Sequence, residues 1–506
     1  MKLAFVEYKD KVRACWLGKN IGGTLGAPFE CIRGVYDLDY YTHDLSKGVL
    51  PNDDLDLQIC WLNAAEQYGK AVNAEVLAEY WVNYVVADWS EYGAGKNNLR
   101  FGILPPISGW YKNHNKDSCG CFIRSEIWAC LAPGHPEIAV KYAYEDAICD
   151  HADEGVFGEL FCAALQSAAF VESDMDKLVK IAKSYIPEDC AVAKAVDAAV
   201  ECYRKGLDWK SARKVILNTF PGSFGMYRGY TTQQPEPDVA VGSLGYDAPS
   251  NIGLMMLGWV YGEGDFSKSI CIAAGCCEDG DCTAGTLGAT LGILYGTKCI
   301  EDRWLAPIGD EIKTISLDRT KNTTGYRVPN TVTALSERVV NLMPTFMQEH
   351  IHFDEEGKLH FAEIREISLG QLRRGTMTRT TMRDELCGSF VKVRKSSPLL
   401  DVECVYADGN IRITAGEPKR LKLRVVNKHH THQWLTVKAH LPEDWEAAPG
   451  KEMSFFADNY HGGCGVTEYE FTILPQSTQM GKYEILLEIK ANGRPTTAYL
   501  PLVFIP

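Results

Sequence analysis

The sequence lacks the signals of several protein classes. Its 18 cysteines include no C-x-x-C pair, so neither a zinc knuckle nor a thioredoxin-type redox site is indicated. Residues 1–16 contain no apolar signal-peptide core, and the most apolar stretches, 251–262 and 283–296, are too short to cross a bilayer. We therefore expect a cytoplasmic protein with buried, reduced thiols and no membrane partner.

Positive charge is also scarce. The 506 residues carry 52 Lys and Arg against 66 Asp and Glu, a formal net charge of -14. Such a chain does not neutralise phosphates on average, so we expect no nucleic-acid partner, and a phosphate-bearing ligand would need a local cation or a metal. The oligomeric state is left open by the sequence.

Two different patterns of apolar residues along the sequence predict a multidomain protein. Apolar residues recur at three- and four-residue steps through residues 1–348, which predicts an all-α domain. Residues 400–506 show alternating β-branched and aromatic runs separated by turn residues about every ten positions, which is typical of an immunoglobulin-like all-β sandwich. Residues 349–399 are predicted to connect the two domains.

Two acidic clusters stand directly before predicted helices. Asn52-Asp53-Asp54 precedes one helix, where an N-cap and first-turn acids favour the helix dipole without any further role. Asp279-Gly-Asp281 precedes a helix with a stripe of small residues, which predicts close helix packing in a core. Unpaired carboxylates near a core repel each other, and a divalent cation with hard oxygen ligands, such as Mg²⁺, Mn²⁺ or Ca²⁺, would remove that cost.

A glycine-rich segment near the N-terminus ends in an acid. Gly18, Gly22 and Gly26 form a second small-residue stripe, and Glu30 follows the Pro28 that ends the helix. The spacing is not G-x-G-x-x-G and no strand precedes it, so a dinucleotide fingerprint is excluded. Glu30 by itself reads as a solvated loop acid.

Taken in order, these segments and two others resemble the ADP-ribosylglycohydrolase family. The resemblance covers about residues 8–345 and rests on Gly22-Gly-Thr-Leu-Gly-Ala-Pro-Phe-Glu30, Asn52-Asp53-Asp54, Gly120-Cys-Phe-Ile-Arg124, His151 and Asp279-Gly-Asp281. It implies an all-α fold with two Mg²⁺ or Mn²⁺ ions in a central cleft and hydrolysis at the anomeric carbon of a ribose.

The resemblance also implies roles for individual residues. Glu30 or Asp54 would handle the proton. The implied metal ligands are Asn52, Asp53, Asp54, Asp279, Asp281 and Cys282. Asn52 and Cys282 stand where the family usually has Thr, and a thiol is a poor Mg²⁺ ligand, so one ion is expected to be weak, absent or replaced by Ca²⁺.

Five residues are candidates for substrate contact. The ordered motifs suggest Gly120, Arg124 and His151, although Arg124 is equally suited to an internal salt bridge and His151 to starting a helix. Trp110 and Tyr246 lie in predicted loops, where an aromatic ring either stacks on a base or sugar or packs on its own domain.

Three functions remain open from the sequence. The first is a metal-dependent glycosyl hydrolase that cleaves the ribosyl C1 bond of an ADP-ribosylated protein or small molecule. The second is a hydrolase retargeted to another N- or O-glycoside, such as a nucleoside or sugar conjugate, because no phosphate cradle is evident between residues 110 and 118. The third is a binding relative without turnover, suggested by Asn52 and Cys282.

Overall fold

The structure is a computed structural model that describes residues 1–220, 236–240, 246–317, 326–370, 392–396, 399–428, 431–459, 465–479 and 481–506. The Cα positions divide the chain into two compact units, Met1–Met377 and Thr378–Pro506. The first unit holds the helices and the second holds antiparallel sheets, which confirms the predicted order of an all-α and an all-β part.

The first unit is a set of helices around one apolar core, with a small hairpin after the last helix. The core contains the fully buried Trp16, Trp61, Trp81 and Trp128. No helix in the described residues is both long and apolar enough to span a membrane. In chain order, α1 to α16 are Phe5–Gly26, Asp53–Tyr68, Ala74–Tyr84, Ser90–Arg100, Ile107–Trp110, Glu126–Leu131, Pro136–Ala147, Glu154–Ala169, Met175–Lys183, Ala191–Arg204, Trp209–Thr219, Ala248–Gly262, Phe266–Gly275, Gly280–Tyr295, Asp302–Leu305 and Val332–Phe346, and the hairpin is β1 (Ile351–Phe353) with β2 (Leu359–Phe361).

Helices α1 and α14 are in backbone contact along the two small-residue stripes. A Cβ atom added to Gly18, Gly22 or Gly26 would lie 2.1–2.2 Å from a carbonyl oxygen of α14, those of Gly288, Ala284 and Gly280 respectively. Each step of four residues forward along α1 corresponds to a step of four residues backward along α14, so the two helices run antiparallel. The end of α1 therefore lies at the start of α14, which brings the segment after α1 beside the Asp279 motif.

Within the residues that the structure describes, the second unit has two antiparallel sheets, and buried and less buried residues alternate in strands such as Leu400–Tyr406 and Lys419–Asn427. The sheet orders are β3-β4-β5-β9-β7 and β11-β10-β6-β8. Trp445 is fully buried in its apolar core. In chain order, β3 to β11 are Lys392–Ser396, Leu400–Tyr406, Lys419–Asn427, Gln433–His440, Glu446–Ala448, Glu452–Ala457, Gly465–Leu474, Tyr483–Ala491 and Thr497–Phe504.

Candidate active site

Three chain segments of the helical unit meet at one cavity of about 510 Å³. Glu30 follows the 3₁₀ turn after α1, Asp53 lies in the first turn of α2, and Asp279 and Asp281 lie at the start of α14. All four line the cavity, and the buried Asp54 lies behind them. The acids predicted from separate motifs are therefore brought together.

Two strained loops hold the Glu30 and Asp279 segments together. Cys31 and Glu278 both have positive φ angles, 57° and 64°, which cost energy for residues other than glycine. The Cys31 N–H donates to the Glu278 carbonyl at 2.8 Å, and the Glu278 N–H donates to the Ile32 carbonyl at 2.9 Å. Arg33 adds a bidentate pair with the Glu278 carboxylate at 2.7 and 3.0 Å. These contacts fix the spacing of the acids on either side.

Among the residues that the structure describes, three overlapping groups of side chains have ligand atoms close enough to hold a metal ion. In each group the ligand atoms lie within 4.8 Å of one another. The groups are Glu30 with Asp279 and Asp281, Asp54 with Asp281 and Cys282, and Cys119 with Asp279 and Cys282.

Two buried carboxylate oxygens without hydrogen-bond partners among the described residues also fit a bound cation. Asp279 and Asp281 are only 3% and 5% exposed, and the Oδ1 atom of each has no hydrogen-bond partner within the described part of the chain. A buried carboxylate oxygen without a partner costs free energy that a metal ion would offset. The chemistry of the first group, three carboxylates, suits a hard divalent cation.

Lys19 supplies one internal positive charge at the site. Its ammonium nitrogen, buried in α1, lies 3.2 Å from Asp54 Oδ2 and 3.3 Å from Glu126 Oε1, and it donates to Thr286 Oγ1 at 3.0 Å. Among the residues that the structure describes, no lysine or arginine forms an ion pair with Glu30, Asp53, Asp279 or Asp281. Lys19 therefore compensates Asp54 and leaves the other carboxylates in need of a cation or a proton.

The clustered carboxylates hold protons more tightly than isolated ones. Desolvation by the surrounding cavity wall, and after it the charges of Asp279, Asp53 and Asp54, raise the pKa of Glu30 to about 8, and part of the residue remains accessible to solvent at the cavity mouth. Burial and the charges of Asp53 and Asp279 raise the pKa of Asp54 to about 7 against the opposing pull of Lys19. Burial and the charges of Glu30, Asp279 and Asp54 raise the pKa of Asp281 well above its usual range.

The two non-aspartate ligands implied by the sequence resemblance have different positions. The Asn52 side-chain oxygen accepts from the Asp54 N–H at 2.7 Å and so caps α2, and Asn52 does not line the cavity. Cys282 lines the cavity and donates to Asp54 Oδ1 at 3.5 Å. Asn52 thus serves as a helix cap, whereas Cys282 faces the acids of the cavity.

The candidate substrate residues divide into two sets. Gly120 and Tyr246 line the cavity, and a Cβ on Gly120 would lie 1.9 Å from Glu91 Oε1, so a larger residue there would displace the Glu91 carboxylate. Trp110 and His151 are buried and do not line the cavity. The His151 imidazole contacts Asp150 and Ser118 at 3.0 and 2.8 Å.

Arg124 forms the internal salt bridge that the sequence left open. Its buried guanidinium binds Asp146 at 2.9 Å and Asp150 at 2.5 Å, and it donates to the Gly120 carbonyl at 2.9 Å. It does not line the cavity. Arg124 thereby supports the Gly120 loop from behind.

Sequence reasoning missed several residues of the site, among them Glu91, Tyr92, Cys119 and Lys19. Glu91 lines the cavity, and burial with the charges of Asp150 and Asp53 raises its pKa to about 8. The Tyr92 hydroxyl donates to Asp53 Oδ2 at 2.8 Å, and the Cys119 thiol donates to Asp279 Oδ2 at 2.5 Å. Of these four residues, only Lys19 could have been found from the sequence, because it is a lysine next to the small-residue stripe of α1.

Comparison with known proteins identifies the family of the chain. The sequence model of the ADP-ribosylglycohydrolase family matches residues 6–332, more than half of the chain, and confirms the resemblance drawn from the motifs. One similar solved structure, described as "ADP-ribosylglycohydrolase-related protein complex", is 16% identical with a TM-score of 0.44 and covers 68% of this chain and 99% of that chain. No curated protein matches the chain.

Proposed function

Because the chain belongs to the ADP-ribosylglycohydrolase family and is thereby a hydrolase of glycosyl bonds, we propose that it cleaves the ribosyl C1 bond of an ADP-ribosylated protein or small molecule in a metal-dependent reaction. The observation that carries the proposal is the convergence of Glu30, Asp53, Asp54, Asp279 and Asp281 at one cavity. Five carboxylates with one buried lysine nearby are an arrangement that a divalent cation would stabilise.

The carboxylate groups would hold Mg²⁺ or Mn²⁺, with Glu30, Asp54, Asp279 and Asp281 as ligands. Asp53, predicted as a ligand from the sequence, lines the cavity but belongs to none of the three groups. A bound divalent ion would supply Lewis acidity and orient the sugar hydroxyls. The two unpartnered Oδ1 atoms of Asp279 and Asp281 are the positions that such an ion satisfies best.

The protein's own residues would then carry the proton and the developing charge. Glu30 stands exposed at the cavity mouth within reach of Asp279 and Asp281, so it is placed to exchange a proton with the departing group or with water. As the glycosyl bond breaks, positive charge develops at C1, and the surrounding carboxylates stabilise it. Tyr246 lies in the cavity wall and is placed to contact the sugar or base.

Asp281→Asn tests the metal dependence of the reaction. The substitution keeps the side-chain shape but removes one shared carboxylate of two ligand groups, so we expect metal affinity to fall by more than about 100-fold. Turnover should fall with it in assays with Mg²⁺ or Mn²⁺. Asp176→Asn, which changes a surface ion pair with Arg204, is the matched control. An Asp281→Asn enzyme with normal turnover would contradict the assignment.

One observation favours a second candidate, hydrolysis of an uncharged N- or O-glycoside. The described residues that line the cavity include six acids, Glu30, Asp53, Asp88, Glu91, Asp279 and Asp281, and no lysine or arginine. A diphosphate would meet a negative surface there unless metal ions compensate it.

A paired substrate assay separates the two candidates. Rates are compared for ADP-ribosyl conjugates and for neutral nucleosides, which lack the diphosphate, at matched metal concentrations. A higher kcat/KM for the conjugates supports the first candidate, and a higher value for the nucleosides supports the second. Failure to hydrolyse either class with any divalent ion would argue against both.

A further inference from the structure

Cys119 and Cys282 differ from the other buried cysteines in what their thiols contact. The Cys121 thiol donates to the Gly155 carbonyl, and the Cys149 thiol lies near the Ala74 carbonyl, as is usual for thiols in a core. The Cys119 thiol instead donates to a carboxylate, Asp279 Oδ2, at 2.5 Å, and the Cys282 thiol is directed to Asp54 Oδ1. Both are free thiols at the cavity wall.

We propose that Cys119, Asp279 and Cys282 form a separate metal position that takes a thiophilic divalent cation, namely Zn²⁺, beside the carboxylate position for Mg²⁺ or Mn²⁺. The inference rests on the proposed function only in that it places this ion in the same cavity. Two thiolates and one carboxylate are a donor set that zinc accepts and that Mg²⁺ avoids.

The geometry already gathers the donor atoms. The two sulfur atoms and an Asp279 oxygen lie within 4.8 Å of one another, and zinc–sulfur bonds of about 2.3 Å place tetrahedral ligands roughly 4 Å apart. Asp279 precedes α14 and Cys282 lies in its first turn, while the Cys119 N–H is bound to the Tyr246 carbonyl at 2.7 Å. The three donors thus come from segments that are held in place by other contacts.

A cation would replace protons that now bridge these groups. The Cys119 thiol proton lies between its sulfur and Asp279 Oδ2, and Asp279 Oδ1 is buried without a hydrogen-bond partner in the described chain. All three side chains are at most 7% exposed. Zinc binding displaces the two thiol protons, gives Asp279 Oδ2 a cation in place of the Cys119 thiol proton and leaves a fourth coordination position open towards the cavity.

Cobalt substitution tests the thiolate ligands directly. The full-length protein is kept reduced, stripped with a chelator and titrated with Co²⁺, whose charge-transfer absorption in the near ultraviolet reports bound thiolate. We expect this absorption in the wild-type protein and in Cys121→Ser, its displacement by Zn²⁺, and its loss in Cys119→Ser and Cys282→Ser. Zinc affinity in both variants should fall by more than about tenfold. Wild-type protein that binds Co²⁺ without the absorption overturns the proposal, as does unchanged absorption in both serine variants.

Cys282→Thr keeps the test decisive if a serine variant fails to fold. This variant restores the residue implied by the family resemblance, and we expect it to lose the thiolate absorption while Mg²⁺ affinity is kept or raised. Loss of Mg²⁺ affinity with retained Zn²⁺ affinity would overturn the proposal. Thiolate absorption in a protein that hydrolyses no glycoside supports the zinc position and rejects the proposed function, whereas hydrolysis without thiolate absorption does the reverse.

Discussion

At the scale of single residues, the site is defined by a charge imbalance in a confined space. The Lys19 ammonium lies 3.2 Å from Asp54, whereas no lysine or arginine in the described part of the chain forms an ion pair with Asp279 or Asp281. Burial and the charges of neighbouring carboxylates raise the pKa of Glu30, Asp54 and Asp281. A cluster of carboxylates with raised pKa values at a cavity is typical of a binding site, where a bound ligand offsets the unfavourable burial and repulsion.

Glu30→Gln is the residue-scale test of proton transfer. Gln keeps the size of the side chain but neither accepts nor gives up a proton at the cavity mouth, so we expect kcat to fall by about 10²- to 10⁴-fold. Metal affinity measured by calorimetry should change less than turnover, because the aspartates remain. Glu188→Gln, an exposed glutamate that does not line the cavity, serves as the control. Unchanged kcat in Glu30→Gln would transfer the proton role to Asp54 or Glu91.

At the scale of elements, the backbone contact of α1 with α14 positions the acids. Three glycines of α1 meet carbonyl oxygens of α14 at distances that no side chain tolerates, and the contact aligns the end of one helix with the start of the other. Backbone atoms cannot rotate away as side chains do. The glycine stripes therefore belong to the site as much as the carboxylates do, because they set the distance between Glu30 and Asp279.

Gly22→Ala tests this positioning. The new Cβ would lie 2.1 Å from the Ala284 carbonyl oxygen, so the helices must separate, and we expect a loss of about 3 kcal/mol in the free energy of unfolding, at the upper end for overpacking. Metal affinity should fall as well, since the acids move apart. Gly481→Ala, where the added Cβ meets nothing within 4 Å, is the control. Equal unfolding midpoints for the two variants in denaturant would refute the role of the contact.

The site was predictable where its residues are grouped along the chain. Asp53 with Asp54, and Asp279 with Asp281, stand at helix starts, and the small-residue stripes predict the close helix packing that the structure has.

Partners that depend on tertiary packing were not predictable. Asn52 caps α2, Arg124 is paired with Asp146 and Asp150, which lie 22 and 26 residues further on, and Trp110 and His151 are buried away from the cavity. Glu91 and Tyr92 line the cavity within the run 88–92, and Cys119 lines it beside Gly120, but neither segment has a local pattern that predicts a site.

At the scale of the whole molecule, all three candidate ligand groups belong to the helical unit. They come from residues 30, 54, 119 and 279–282, whereas the β unit begins after Met377 and has its own apolar core. Each unit therefore has its own source of stability, and a ligand of the first need not order the second. The predicted alternation of the strands is confirmed, for instance in Lys419–Asn427, where buried and less buried residues alternate.

Metal removal should consequently act on one unit. A ligand that binds only the folded state stabilises it by about 2.7 kcal/mol at 100 times its Kd, so Mg²⁺ or Mn²⁺ added to chelator-treated protein should raise the unfolding temperature by several degrees. Hydrogen exchange should slow at the end of α1 and at the starts of α2 and α14, where the ligand groups lie, and stay unchanged in β4 to β11. Asp281→Asn should show neither effect, and chelator should reverse both in the wild-type protein. Slowed exchange that is confined to the strands, or equal in both units, would place the ion elsewhere, because a cation held by Glu30, Asp54, Asp279 and Asp281 restrains only the segments that carry them.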